Sequence, residues 1–246
     1  METLTTLGRT LGFSFAAGVN LYATVAILGL ASRYGWVSLP PQFAAFDNDI
    51  VIGAAIVMYA IEFFADKIPY VDSLWDLIHT LIRPVGGALI AVTTLGDVSP
   101  TVEGLVAVLG GAVAASSHLT KTGTRAAANA SPEPFSNWIL SIGEDLFVVG
   151  LGFLALKYPL LALGVAAVLL MLIAVFATVI IRAVRRWFSR RPAIPPRGGP
   201  PPGRTANQHW LVAVAQRPRR GKRASGTPAI GGVTKAHPAV DSEGQP

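Results

Sequence analysis

The sequence contains no cysteine, which excludes disulfides, thiolate metal sites and thiol nucleophiles and leaves its redox compartment open. It is also poor in charge. Asp, Glu, Lys and Arg make up 14% of the residues, against about 25% in an ordinary soluble domain. Hydrophobic residues reach 52% and the mean hydropathy is +0.51, so the chain reads as a membrane protein. Acidic residues run short towards the end. Residues 182–246 hold 2 acidic and 13 basic residues, a balance of +11, whereas residues 1–181 hold 12 acidic and 7 basic, a balance of −5. The net charge of +6 therefore belongs to the last quarter of the chain, and a nucleic-acid-binding domain is not expected. The start, Met1-Glu2-Thr3-Leu4, lacks a basic leader region with a small-residue cleavage site, so Leu4 onward is expected to be kept as a first span. Also missing are a His-Glu-x-x-His helix, a phosphate-binding Gly-x-x-x-x-Gly-Lys loop, a dinucleotide glycine fingerprint and a Ser nucleophile elbow. Neither a catalytic residue nor a cofactor is expected.

What the chain has is long apolar runs. A hydrocarbon core about 30 Å thick needs roughly 20 apolar residues in a helix. Six segments approach that length, at 4–32, 50–66, 74–95, 102–119, 135–156 and 160–181. The expected fold is an all-α membrane protein of about six transmembrane helices within residues 1–191. Residues 192–246, rich in Pro, Gly and Arg, are expected to form a disordered basic tail, with His209 to Ala215 as a short apolar patch within it. Breakers interrupt the runs: Gly18-Val19-Asn20 in the first, Arg83-Pro84 with Gly86-Gly87 in the third, and Gly110-Gly111 in the fourth. A kink or discontinuity is expected at Pro84.

Arg182, Arg185, Arg186, Arg190 and Arg191 follow the last run, which points to a multi-pass inner-membrane protein with its C-terminus in the cytoplasm and, for six spans, its N-terminus there too. The same arginines are expected to meet anionic lipid head groups. The two halves share a rhythm of broken span, acidic span and third span, which suggests a three-plus-three inverted repeat with a site between the repeats.

Carboxylates inside such runs cost about 2.5 kcal/mol or more unless protonated, paired or hydrated. Glu62 and Asp66 lie at i and i+4, one turn apart on one helix face, and are suited to share a cation or proton. Glu144 and Asp145 lie deep in the fifth run, with Asn137 and Ser141 on flanking turns. Asn20 at the first break and Arg83 at the third are expected to orient a substrate or supply a counter-charge. The bland alternative is a set of buried salt bridges to Arg83, Lys121 or Arg125. Asp76 and His79, with His118 in the second half, form a candidate proton relay, and Asp72 suits a helix first turn. Lys121 and Arg125, in Thr120 to Arg125, are read as a loop able to touch a lipid phosphate or anion. Whether a metal binds is left open.

Several of these stretches together resemble one bacterial membrane-protein family, the domain of unknown function numbered 4126. They include Gly18 to Tyr22, Arg33 to Trp36, Glu62-Phe63 through Asp66 to Pro69, Asp76, Arg83-Pro84, His118, Lys121, Arg125, Asn129, Ser131 to Pro134, Asn137, Ser141 and Glu144-Asp145. The resemblance spans roughly residues 8–160 and implies an integral membrane domain but no reaction.

The leading functional expectation is a small ion- or proton-coupled transporter working on a small ion or solute, with Glu62, Asp66, Glu144 and Asp145 as its coupling site. The alternatives are a membrane scaffold whose acids are neutralised by bases, and an intramembrane enzyme acting on a lipid phosphate with His79 or His118 beside Lys121 and Arg125. One geometric question separates the first two. Glu62 and Glu144 converging on a cavity would favour transport, and each meeting an arginine or lysine would favour structure.

Overall fold

The computed structural model describes residues 1–129 and 135–189, and these contain seven α-helices and one 3-10 turn. The helices are α1 (Glu2–Val19), α2 (Leu21–Arg33), α3 (Asp49–Ala65), α4 (Pro69–Leu95), α5 (Pro100–Asn129), α6 (Phe135–Lys157) and α7 (Pro159–Ser189); the turn is Pro41–Phe46. No strand occurs among the described residues. The expected tail at 192–246 and the stretch Ser131 to Pro134 lie outside them.

Four helices, over Tyr70–Leu95, Pro100–Asn129, Asn137–Lys157 and Pro159–Ser189, are each long and apolar enough to cross a membrane. The other two expected spans take a different form. The run 4–32 is not one helix but two. At Asn20 the backbone turns extended, with φ −148° and ψ 101°, ending α1 and starting α2. The Asn20 side chain caps α2 by accepting from the Ala23 amide at 2.9 Å. A break inside a bundle frees carbonyls that must find donors where water is scarce. Here Gly18 O accepts from Arg83 Nη1 at 3.3 Å, and Phe15 O accepts from Ser117 Oγ at 2.9 Å. The run 50–66 is α3, whose 17 residues rise about 26 Å.

α1 is the central element. Its second half, from Gly12 to Val19, is buried throughout, and it packs against α4, α5, α6 and α7. Such close approach needs small residues. A Cβ at Gly8 would collide with the Pro159 carbonyl, and one at Gly18 with Ala114 O and Ser117 Oγ.

α4 and α5 form an antiparallel hairpin around Gly96, whose φ of 81° suits glycine. Their seam changes character along its length. In one half, Asp72 pairs with Arg125 and Asn129, and Arg83 with His118. In the other, Gly87 faces Ala114 and Ala91 faces Gly110, so the backbones close up. The expected discontinuity at Pro84 is absent: α4 runs unbroken through it, held between α1 and α5. The expected loop at 120–125 is also corrected, because α5 continues to Asn129 with Lys121 and Arg125 buried on its seam face. Sequence polarity suggested a loop, whereas burial against acidic side chains keeps the helix going.

The outside of the bundle is apolar. α7 buries only Ala162 and Ala166 among its inner residues, and shows Leu172, Val175, Phe176 and Val179 outward, as a lipid-facing helix does. Between α2 and α3, Arg33 is clamped by Asp47 at 2.8 Å and Asp49 at 2.6 Å, and the Asp47 hydrogen bond foremost holds its guanidinium above its ordinary value.

Candidate functional site

Eight charged side chains of α3 to α6, Glu62, Asp66, Asp72, Asp76, Arg83, Lys121, Arg125 and Glu144, converge on one polar column. It starts at the α3–α4 turn and follows the α4–α5 seam inward to the break at Asn20. Asp72 to Arg83, eleven residues along α4, spans about 16 Å of rise, roughly half a hydrocarbon core.

At the inner end, Arg83 Nη2 donates to Glu62 Oε1 at 2.7 Å, with both side chains fully buried. Arg83 Nη1 donates to His118 Nδ1 at 2.8 Å and lies 3.5 Å from Asp76 Oδ1. Since that ring nitrogen accepts, His118 is the neutral tautomer with its proton on Nε2, placed 3.2 Å from Thr80 Oγ1. Thr80 in turn donates to the Asp76 carbonyl. In the middle, the Lys121 ammonium lies between Glu62 Oε1 at 3.2 Å and Asp66 Oδ2 at 3.1 Å, with Glu144 Oε2 at 3.5 Å. Lys121 thus bridges Glu62 and Asp66.

At the outer end, Arg125 grips Glu144 with two bonds, Nη2 to Oε2 at 2.6 Å and Nε to Oε1 at 3.2 Å. It also reaches Asp66 Oδ2 at 2.8 Å, the Asp66 carbonyl at 2.7 Å and Asp72 Oδ1 at 3.2 Å. Asp66 ends α3, where the helix dipole disfavours an acid, and the two bases offset that cost. Asp72 sits in the first turn of α4 as expected, but its carboxylate serves Arg125 and Asn129.

Asp145 stands apart. About 100° around α6 from Glu144, it is half-buried and faces the helix break, where Asn20 Nδ2 donates to its Oδ1 at 3.4 Å. Tyr59 of α3 is a neighbour of it as well. No basic side chain lies within 4.0 Å of it among the described residues, unlike Glu62, Asp66, Asp72, Asp76 and Glu144. Lys67 lies in the neighbouring α3–α4 turn. Burial pushes the Lys67 ammonium down from its ordinary value, while Asp145 and then Asp66 pull it up. That ammonium is parked 3.0 Å over the Phe63 ring, bonded to Phe63 O at 2.8 Å and Ser141 Oγ at 3.4 Å.

The sequence-predicted residues are thus brought together, with two differences in role. The expected Asp76–His79–His118 relay is not a continuous chain. His79 bonds instead to the Tyr22 hydroxyl at 2.9 Å and the Trp75 carbonyl at 2.7 Å. Lys121 and Arg125 are occupied by carboxylates rather than open to an anion. Tyr22, Tyr59, Thr80 and the bridging role of Asp72 escaped the sequence reading. Only the one-turn spacing of Asp72, Asp76 and Thr80 hinted at them. Among the described residues no group of three or more His, Asp or Glu side chains is arranged to hold a metal ion.

Comparison with curated proteins and with solved structures finds no match. A family model described as "Domain of unknown function (DUF4126)" matches residues 7–179, which takes in every helix that builds the column and most of α7. The chain belongs to this family, the domain of unknown function 4126.

Proposed function

We propose that the protein is a small proton- or cation-coupled permease in which Asp145 is the coupling carboxylate and the ion-paired column is the frame that holds it. The observation that carries this reading is Asp145 itself, a half-buried acid inside a span, without a basic partner and set against a broken helix. Broken helices with an adjacent acid recur where transporters bind ions, because free backbone groups and a helix terminus then face a buried ligand. The column supplies a second support. Its five carboxylates face three basic side chains, Arg83, Lys121 and Arg125. In low-dielectric surroundings the surplus negative charge must be met by bound protons or cations. Three buried carboxylate oxygens, Glu62 Oε2, Asp66 Oδ1 and Asp76 Oδ1, accept no hydrogen bond. In this reading the arginines of α7 place the end of that helix at the cytoplasmic face of the inner membrane, against anionic head groups.

The test is flux into proteoliposomes loaded with a pH dye, under gradients of sodium, potassium and ammonium in turn. Asp145→Asn is expected to cut coupled flux on the order of tenfold and to flatten its pH dependence. Flux in Asp145→Asn equal to wild type would sink the reading.

A scaffold role is the second reading, favoured by the direct ion pairing of Glu62 and Glu144. It expects no flux in wild type, and full stability when Asp145 is replaced.

A further inference from the structure

A cavity of about 420 Å³ opens between α2, α3 and α4, and neither the column nor the break uses it. α3 leans on α2 much more than on α4, which leaves a cleft between these two consecutive helices. Leu21, Tyr22 and Val25 line it from α2, Ala54 and Met58 from α3, and Leu89 from α4; Ala45 and Phe46 of the 3-10 turn bound one end. Its wall offers no free hydrogen-bonding side chain. The hydroxyl of Tyr22 is engaged with His79, and Thr93 Oγ1 donates to Leu89 O within its own helix. An occupant must therefore be apolar where it enters.

The surroundings of the mouth decide which apolar occupant. Both walls run into outward apolar faces, with Val51, Ile56 and Val57 on α3 and Val85 and Leu89 on α4 all exposed. In a membrane-crossing bundle these faces meet lipid, so the cleft is continuous with the lipid interface. A helix of a second copy, about 10 Å across with its side chains, is too wide for a space of about 420 Å³. A single alkyl chain is not.

We propose that this cleft is a binding site for one acyl chain of a membrane lipid. The inner end of that chain would lie against Tyr22, whose hydroxyl holds His79 one turn from Arg83 on α4. The site thereby joins the surrounding lipid to the polar column. It does not depend on whether the protein transports.

The full chain in phosphatidylcholine nanodiscs, doped with a phospholipid carrying a diazirine on its acyl chain, provides the test. After irradiation, adducts are mapped by mass spectrometry. The expected result is several-fold more adduct on Val51, Met58 and Leu89 than on exposed α7 residues such as Phe176. Ala54→Trp, which puts an indole into the cleft from an exposed alanine, should remove the excess and leave α7 labelling and the melting temperature unchanged. Leu89→Trp is the second variant should Ala54→Trp not fold. Cleft labelling no higher than on α7, labelling insensitive to both variants, or protein–protein crosslinks at the cleft in place of lipid adducts would each overturn the proposal.

Discussion

Glu62 and Glu144 show how far a buried acid can be read from sequence. Their placement in apolar runs marked them as costly, and that cost is met by Arg83, Lys121 and Arg125. A pair of this kind is a poor source of net stability but an expensive thing to break, since removing one partner strands a charge at about 3–5 kcal/mol. Arg83→Met should therefore lower stability by about that amount, measured by thermal melting in detergent. The double variant Arg83→Met with Glu62→Met should recover part of the loss, because no partner of that pair is left charged. A double variant as unstable as the sum of the two singles would show that the pair is not coupled. Asp145→Asn belongs to the opposite class. Without a salt bridge to lose, it should melt within about 0.5 kcal/mol of wild type while altering flux, so stability and function separate at this residue.

At the scale of elements, the break at Asn20 and the close approach of α1 to α5 are linked. Gly18 sits where a side chain would strike Ala114 O and Ser117 Oγ, so Gly18→Val should destabilise by about 1–3 kcal/mol and more if α1 cannot shift. Asn20→Ala removes the cap of α2 and the donor to Asp145 together. Its expected cost is about 1 kcal/mol in melting, accompanied by a change in the flux assay at least as large as the stability change. Unchanged flux would separate the break from the coupling site. The breakers at 18–20 were legible because glycine and asparagine in an apolar run have little reason to be there otherwise. The continuation of α5 through Lys121 and Arg125 was not, because a polar stretch looks like a loop until a facing helix supplies its counter-charges. At Pro84 α4 is not interrupted, because packing by α1 and α5 holds the helix on both sides of the proline.

At the scale of the molecule, the bundle divides into a buried polar seam and an apolar exterior. Residues Met1–Arg191 form one compact unit with its own contacts. A chain ending at Arg191 should keep its helical circular dichroism and melting temperature in detergent, and a lowered melting temperature would assign a packing role to residues 192–246. Glu62 and Asp66 come to the column from α3 and Glu144 from α6. Yet the basic side chains come from α4 and α5, and α7 contributes none to the column. The site is thus not divided evenly between two halves.

The sequence by itself determined that the chain is an all-α membrane protein, where most of its helices begin, that the first run breaks at Gly18 to Asn20, and that four carboxylates, Glu62, Asp66, Glu144 and Asp145, would need an answer inside the bundle. Those properties follow from hydropathy, capping and the cost of buried charge, all of which act locally along the chain. Only the tertiary structure decided which acids are answered. Arg125 meets Asp66 from 59 residues away, and Asp145 is left with an asparagine from 125 residues away. Partnership at that separation is set by how helices pack, which no local pattern records.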